Sequence, residues 1–136
     1  MKLSVMESGF FHEKAIVHHT LGQLISACDM IMDWNRHVSS VNDYLDSPEG
    51  MQKMAANCML IESIGEGVKK IDKLLPGFLS EYASEVPWRS IKGLRDHIAH
   101  GYFNIDADII YDVVSNEIPQ LKLVFINLKD ILEDSL

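Results

Sequence analysis

The sequence predicts an all-α fold, an up-down bundle of four to five helices. Apolar residues recur three and four positions apart over most of the chain, as the buried face of a helix requires. No stretch alternates β-branched with polar residues in the manner of a half-buried strand. Proline, glycine and serine lie at the ends of the periodic segments, where helices begin and end. The connections between these segments are short, which favours a bundle.

The first long helix is predicted from about Glu13 to Trp34, and residues 38–45 extend or follow it. Its apolar positions step by three and four along the chain, so they form one face. These positions are Val17, Leu21, Leu24, Ile25, Cys28 and either Ile31 or Met32. Cys28, like Cys58 further along, is expected to be a small buried hydrophobe rather than half of a disulfide.

The second long helix is predicted to begin at Ser47 and to end near Leu75. A serine hydroxyl can cap the first turn, and Pro48 suits the first helical position because its missing N–H has no partner there. Pro76-Gly77 stops the helix, and residues 76–87 form a connector with room for a short helical turn. The predicted apolar face consists of Ala55, Met59, Ile64, Val68, Ile71 and Leu75.

A shorter helix is predicted to open at Pro87 or Trp88 and to end near Gly101. Four apolar residues, spaced three, three and four apart, are expected to form its buried face. They are Trp88, Ile91, Leu94 and Ile98.

Two further helices are predicted in the last part of the chain. Asn104 or Asp106 caps a helix over about residues 107–114. A last helix covers about residues 116–133 and carries Pro119 in its first turn, where proline is tolerated.

Composition limits the class of protein. The 136 residues fit one domain over 1–136, with residues 1–10 as a flexible tail. Apolar residues make up 47% and charged residues 24%, which argues against disorder. No run approaches the roughly 20 apolar residues that cross a bilayer, and the N-terminus lacks the apolar part of a secretory signal, so a cytoplasmic protein is expected. The net charge of -8 disfavours a protein that coats nucleic acid, because such binding neutralises many phosphates.

The densest chemistry lies between residues 95 and 102, where Arg95, Asp96, His97, His100 and Tyr102 occur together. Arginine offers a planar, permanently charged fork that suits phosphate, and histidine takes and gives protons near neutral pH. The combination indicates cleavage of RNA, in which a ribose 2′-OH attacks the neighbouring phosphorus. His100 would move a proton, and Arg95 would neutralise charge on the phosphoryl oxygens without a metal or cofactor. DNA is not expected as a substrate.

The spacing of these residues leaves their convergence open. Asp96 and His100 are four apart and share a helical face, so the carboxylate can fix the imidazole tautomer. Arg95 and His100 are five apart, about 140° around a helix, and therefore point in different directions. They can converge if the helix ends between them, or if a two-fold axis brings two copies together. A homodimer also supplies two His100 side chains, one as base and one as acid.

Other roles compete with this chemistry. An arginine and a histidine near a helix end often cap carbonyls or form surface ion pairs. His97 and His100 have no clear third ligand nearby, which argues against a metal site. Glu66 is expected to be solvated or paired with a lysine such as Lys69, although it could also reach Arg95 across the bundle.

A resemblance to a known family bears on the choice between RNA cleavage and these other roles. The segment Pro87-Trp-Arg-Ser-Ile-Lys-Gly-Leu-Arg95-Asp-His-Ile-Ala-His100-Gly-Tyr102, with the acids and proline of residues 106–121, resembles the HepT-like proteins of the HEPN superfamily. Residues 61–70 are similar to the central helix of that family, and the resemblance covers roughly residues 12–132. The Arg-x4-His-x-Tyr motif is specific when these flanking residues accompany it.

The resemblance implies a helical homodimer that acts as a toxin ribonuclease and pairs with a small nucleotidyltransferase antitoxin of the MntA-like kind. It implies that Arg95 and His100 are catalytic, with Asp96 as the polar residue beside the arginine. It also implies that the antitoxin attaches AMP to Tyr102, which would place phosphate charge two residues from His100.

The chain departs from the family pattern in two places. His97 adds a second imidazole inside the motif, and residues 34–50 differ from the expected acidic loop. The acidic composition also keeps open an alternative function, a non-catalytic helical module that binds a nucleotidyltransferase.

Overall fold

The computed structural model describes residues 11–101 and 104–136, with the side chain of His100 outside the described part. The described residues form helices and no strand, which confirms the all-α prediction. The helices are α1 (Phe11–Trp34), α2 (Asn42–Leu45), α3 (Pro48–Leu74), α4 (Phe78–Tyr82), α5 (Trp88–His100), α6 (Ala107–Asp112) and α7 (Ile118–Glu133). A π-helical turn, Val113–Glu117, joins α6 to α7.

The long helices run alternately up and down. Helix α1 packs against both α3 and α7, and α5 packs against α3. Two ion pairs fix the direction of α7 relative to α1. His18 Nε2 lies 3.0 Å from Glu133 Oε1, and Lys122 Nζ lies 2.6 Å from Asp29 Oδ1, so the start of one helix meets the end of the other.

The helix ends follow the predicted signals. The Ser47 hydroxyl accepts a hydrogen bond from the Gly50 amide at 3.0 Å and caps α3. Gly77, at φ 85°, turns the chain between α3 and α4 in the left-handed region that favours glycine. The Asp106 carboxylate accepts from the Asp108 amide at 2.8 Å, which selects Asp106 rather than Asn104 as the cap of α6.

The predicted apolar faces of α1 and α3 are largely confirmed. In α1 the last member is Ile31, which is fully buried, and not Met32, which is 37% exposed. The prediction for Met59 is wrong, because its side chain is 62% exposed. Met59 lies about 200° around α3 from Ile61, which is buried and faces the core in its place. The other core members from these two helices are Val17, Leu21, Leu24, Cys28, Ile64, Val68 and Ile71.

Both cysteines are buried free thiols, as expected. Burial raises the pKa of Cys28 to about 12 and that of Cys58 to about 11. These thiols therefore stay protonated at neutral pH and act as apolar packing groups.

The sequence suggests that the chain breaks between α6 and α7, but no break occurs there. Instead, the π-helical turn carries the helix through without interruption. Pro119 has no N–H for the carbonyl of Ser115, four residues earlier, and its ring would crowd that carbonyl in a regular α-helix. A wider π-helical turn just before Pro119 relieves this conflict while the chain remains helical.

A hydrogen-bond network that the sequence reasoning missed joins α1, α2 and α3. We call Asn35, Tyr44 and Asn57 the polar core, since all three are buried. Tyr44 donates to Asn35 Oδ1 at 2.8 Å, and the amides of Asn35 and Asn57 bond to each other at 2.7 and 3.0 Å. Each side chain thus has buried partners, which removes the cost of placing it away from water.

Candidate functional site

Two of the predicted site residues, Arg95 and Asp96, lie where α3 and α5 cross. Gly65 of α3 makes this crossing close. A Cβ atom added at Gly65 would lie 2.3 Å from Arg95 Cβ, which no side chain could tolerate. The missing side chain therefore lets the stem of Arg95 rest directly on the α3 backbone, and this contact fixes where the guanidinium stands.

Two carboxylates hold the Arg95 guanidinium. Arg95 Nη1 donates to Asp96 Oδ1 at 3.0 Å. Arg95 Nε lies 2.6 Å from Glu66 Oε1 in an ion pair, although its N–H is not directed at an acceptor. The hydrogen bond to Asp96, together with the charge of Glu66, raises the pKa of Arg95 further above its ordinary value. The arginine is thus a permanent cation whose side chain is 22% exposed.

Asp96 carries a second cation on the same oxygen. Lys69 Nζ of α3 donates to Asp96 Oδ1 at 2.6 Å. The hydrogen bonds from Lys69 and then from Arg95 hold the pKa of Asp96 below its ordinary value of 3.8. We call Glu66, Lys69, Arg95 and Asp96 the charge cluster.

The charge cluster continues along the antiparallel crossing as a second ion pair. Lys92 Nζ lies 3.1 Å from Asp72 Oδ2, about one turn from the Lys69–Asp96 pair on each helix. The lysine side chains are 29% exposed at Lys92 and 38% exposed at Lys69, so solvent screens both pairs.

The structure brings Arg95, Asp96 and Glu66 together. That Glu66 can reach Arg95 is confirmed. Its side chain is also 54% exposed, as expected of a solvated acid, but the cation that it contacts is Arg95 and not a lysine. Lys69 is three residues beyond Glu66, on the same face of α3, but it meets Asp96 instead. Sequence reasoning missed both the ion pair of Lys69 with Asp96 and the close approach at Gly65.

The other predicted site residues are not joined to this cluster by the described contacts. His100 is the last residue of α5, but its side chain lies outside the described residues, as does the whole of Tyr102. The meeting of Arg95 with His100, and the orientation of His100 by Asp96, therefore stay predictions. His97 is exposed about 200° around α5 from Arg95.

His97 lies on an open apolar groove of about 520 Å³ between α5, α3 and the α6–α7 segment. Ile91 and Leu94 also line this groove, together with Leu121 and Glu117. The predicted buried face of α5 is therefore only half right. Trp88 and Ile98 are in the core, whereas Ile91 and Leu94 are partly exposed, because the groove leaves one side of them uncovered.

Neither a metal cluster nor a membrane span is seen in residues 11–101 and 104–136. No three or more His, Cys, Asp or Glu side chains there are arranged to hold a metal ion. None of the helices there combines the length and apolar character that crossing a bilayer needs.

Comparison with known proteins gives a consistent family. A family model described as Ribonuclease HepT-like matches residues 24–128. A protein of Caldanaerobacter subterraneus subsp. tengcongensis, provisionally named as an RNase, is 30% identical over 113 residues, which cover 83% of this chain and 91% of that protein. A protein of Thermococcus cleftensis named "Probable ribonuclease HepT" is 28% identical over 109 residues, which cover 80% of this chain and 92% of that protein. No solved structure gives a significant match.

Proposed function

Because this chain belongs to the HepT-like ribonuclease family of the HEPN superfamily, we propose that it is a metal-independent endoribonuclease. We further propose that Arg95 and His100 perform the cleavage. The observation that carries this proposal is the placement of Arg95. Its stem rests on Gly65, two carboxylates orient its guanidinium, and part of the side chain remains open to solvent, five residues before His100 on the same helix.

The proposed reaction is a transesterification within RNA. One His100 imidazole accepts the proton of a ribose 2′-OH, whose oxygen attacks the adjacent phosphorus. The bond from phosphorus to the 5′-oxygen breaks, and a protonated imidazole gives its proton to that oxygen. The products are a 2′,3′-cyclic phosphate and a 5′-hydroxyl. Arg95 stabilises the charge that grows on the phosphoryl oxygens in the transition state.

A homodimer would supply the two imidazoles that this reaction needs. We propose that the second copy lies along α5, on the groove lined by Ile91 and Leu94, since these partly exposed side chains are on the helix that carries His100. Leu94→Glu is then expected to halve the mass measured by sedimentation. Leu123→Glu is the matched control, because Leu123 is 68% exposed on α7 and outside the groove. A wild-type monomer, or equal behaviour of both variants, would contradict this interface.

The biological role that we propose is that of a cytoplasmic toxin paired with an MntA-like nucleotidyltransferase antitoxin. The antitoxin would attach AMP to Tyr102, and the added phosphate would compete for Arg95 and block RNA. Mass spectrometry after incubation with a neighbouring-gene nucleotidyltransferase and ATP tests this. The expected result is one AMP on Tyr102 and loss of RNA cleavage. An unmodified Tyr102 would remove this part of the proposal.

A cleavage assay tests the ribonuclease itself. Wild-type protein with EDTA is expected to cut RNA, and to leave uncut the same oligonucleotide with a 2′-deoxyribose at each cleaved position. Arg95→Ala and His100→Ala are expected to lose the activity, whereas Arg89→Ala keeps it, because Arg89 is an exposed arginine of the same helix outside the charge cluster. Equal cleavage by all four proteins, or by none, would reject the assignment.

The alternative function is a non-catalytic helical module that binds a nucleotidyltransferase. The net charge of -8, and the carboxylates of Glu66 and Asp96 beside Arg95, favour it, since they repel RNA. The two functions differ in one result of the same assay. Complex formation with the nucleotidyltransferase, without any RNA cleavage by wild-type protein, would favour the binding module.

A further inference from the structure

One carboxylate oxygen lies between two cations of the charge cluster. Asp96 Oδ1 accepts from Lys69 Nζ at 2.6 Å and from Arg95 Nη1 at 3.0 Å. The two cationic nitrogens come from different helices, α3 and α5, yet they point at the same place. A phosphoryl oxygen of RNA has the same charge and hydrogen-bonding capacity as this carboxylate oxygen. Asp96 thus occupies, in the free protein, a position that suits an anionic ligand.

The charges around Arg95 explain why this one cation would not be enough to bind a phosphodiester. Glu66 and Asp96 both contact the guanidinium, so their two negative charges exceed its one positive charge. Glu62 adds a further negative field at Arg95. A phosphodiester would bring yet another negative charge to a site that is already acidic. Lys69 is the group within the described cluster that can offset it.

From these contacts we infer that Lys69 is a second phosphate-binding residue of the site, which acts beside Arg95 on RNA. The inference rests on the proposed ribonuclease function and deepens it. In the free protein Asp96 keeps Lys69 and Arg95 close together despite their like charges. When RNA binds, the flexible lysine side chain turns from Asp96 to a phosphate, while the stem of Arg95 stays fixed against Gly65.

The exposure of Lys69 makes this exchange feasible. Its side chain is 38% exposed and that of Asp96 is 49% exposed, so the ion pair between them is screened by water and easily replaced. Lys70, the next residue, lies about 100° around α3 from Lys69 and lines the cleft towards α1 together with Glu66, whereas Lys69 is the lysine that contacts Asp96 at 2.6 Å. Lys92 pairs with Asp72 at 3.1 Å, whereas the carboxylates that contact Arg95 among the described residues are Glu66 and Asp96.

RNA binding over a series of salt concentrations tests the inference. The probe is a fluorescent oligoribonucleotide with 2′-O-methyl groups, which cannot be cut, and the readout is its anisotropy with full-length protein. Lys69→Gln is expected to weaken binding about fivefold and to lower the slope of log Kd against log salt by about 0.7, the share of one phosphate contact on a single strand. Lys69→Arg is expected to keep the slope.

Lys92→Gln is the matched control, because it also removes one ion pair between α3 and α5. It is expected to leave the salt slope unchanged, so a loss that arises only from looser packing would appear equally in both glutamine variants. If Lys69→Gln keeps the wild-type slope while Arg95→Ala lowers it, Lys69 does not bind phosphate and the ribonuclease proposal stands. If wild-type protein neither binds this probe nor cuts unmodified RNA, the ribonuclease proposal fails and the inference fails with it.

Discussion

The polar core and the charge cluster both join α3 to its neighbours, but they differ in charge and in burial. The polar core is neutral, and Tyr44 and Asn57 are fully buried within it. The charge cluster is ionised, and its side chains are between 22% and 54% exposed. The polar core lies in the first half of α3, beside α1 and α2, whereas the charge cluster lies in the second half, beside α5.

This difference separates stability from function along one helix. A buried neutral network is costly to break, because each orphaned donor or acceptor has lost its water as well as its partner. Partly exposed ion pairs contribute little to stability, since water replaces the lost partner. The charge cluster can therefore exchange its contacts for those of a ligand without unfolding the bundle, whereas the polar core cannot.

The largest effect is expected from Arg95→Ala, on activity alone. Loss of the guanidinium should lower single-turnover RNA cleavage by about a thousandfold, the cost of removing a group that stabilises transition-state charge. The free energy of unfolding should change little, because the lost ion pairs are partly exposed. Cleavage rates and urea unfolding measure the two quantities. A loss of several kcal/mol of stability would instead place Arg95 among the structural residues.

Asn57→Ala should have the opposite signature. It removes Asn57 as a partner of the Asn35 amide and of the Tyr44 hydroxyl and leaves a cavity among buried polar groups, so the free energy of unfolding should fall by about 2–3 kcal/mol. Cleavage per folded molecule should stay at the wild-type rate. Ser63→Ala is the control on the same helix, since Ser63 is exposed and its hydroxyl bonds only to the Met59 carbonyl among the described contacts. Similar free energies of unfolding for the two variants would show that the polar core is not needed for stability.

Gly65→Ala should lower both the free energy of unfolding and the rate of RNA cleavage. The new methyl group would meet Arg95 Cβ, so α5 must shift, at a cost of about 1–3 kcal/mol, and the displaced guanidinium should slow cleavage. Gly22→Ala is the matched control. Its Cβ would meet only Lys129 Cε at 3.8 Å, and alanine in a helix interior should stabilise α1 by about 0.5–1 kcal/mol. Unchanged cleavage by Gly65→Ala would mean that the site tolerates movement of α5.

The smallest effect on stability is expected from a change of pH. Alkaline pH should destabilise the protein through the polar core, and acidic pH should destabilise it through the charge cluster. Burial raises the pKa of Tyr44 to about 12 from an ordinary 10, so its stabilising effect is complete below pH 10 and declines as the pH rises through 12. Lys69 and Arg95 lower the pKa of Asp96, so its effect is present above pH 3.8 and is lost as the pH falls through the lowered value. Urea midpoints against pH, for wild type, Tyr44→Phe and Asp96→Asn, measure both. Tyr44→Phe should keep only the part of the alkaline sensitivity that comes from the buried thiols of Cys28 and Cys58, and a loss of stability as large as that of wild type would contradict the first part.

The helices were predictable because their signals are local. The cap at Ser47, the stop at Gly77 and the apolar face from Val17 to Ile31 depend on residues within a few turns of one another. The presence of Arg95 in a chemically dense segment is also a local property. These features follow from the 3.6-residue period and from backbone preferences alone.

The partners across the bundle were not predictable in the same way. In the sequence, Asn35 and Asn57 look like ordinary polar residues. Their contact depends on how α1 and α3 cross in the folded protein. The choice of Asp96 rather than Glu66 as the partner of Lys69 depends on the register between two helices, which Gly65 sets by allowing close approach. A single sequence holds no period that reveals such a register.

The helix that carries the proposed chemistry has fewer neighbouring helices than α1. Helix α1 is held on two sides, by α3 and α7, whereas α5 packs mainly against α3, and Ile91 and Leu94 leave its other side partly uncovered. Local opening costs least where few apolar contacts must be broken. In a monomer, which the Leu94→Glu variant is expected to be, the amide hydrogens of α5 should therefore exchange with deuterium sooner than those of α1, and a ligand that bridges α3 and α5 should slow that exchange.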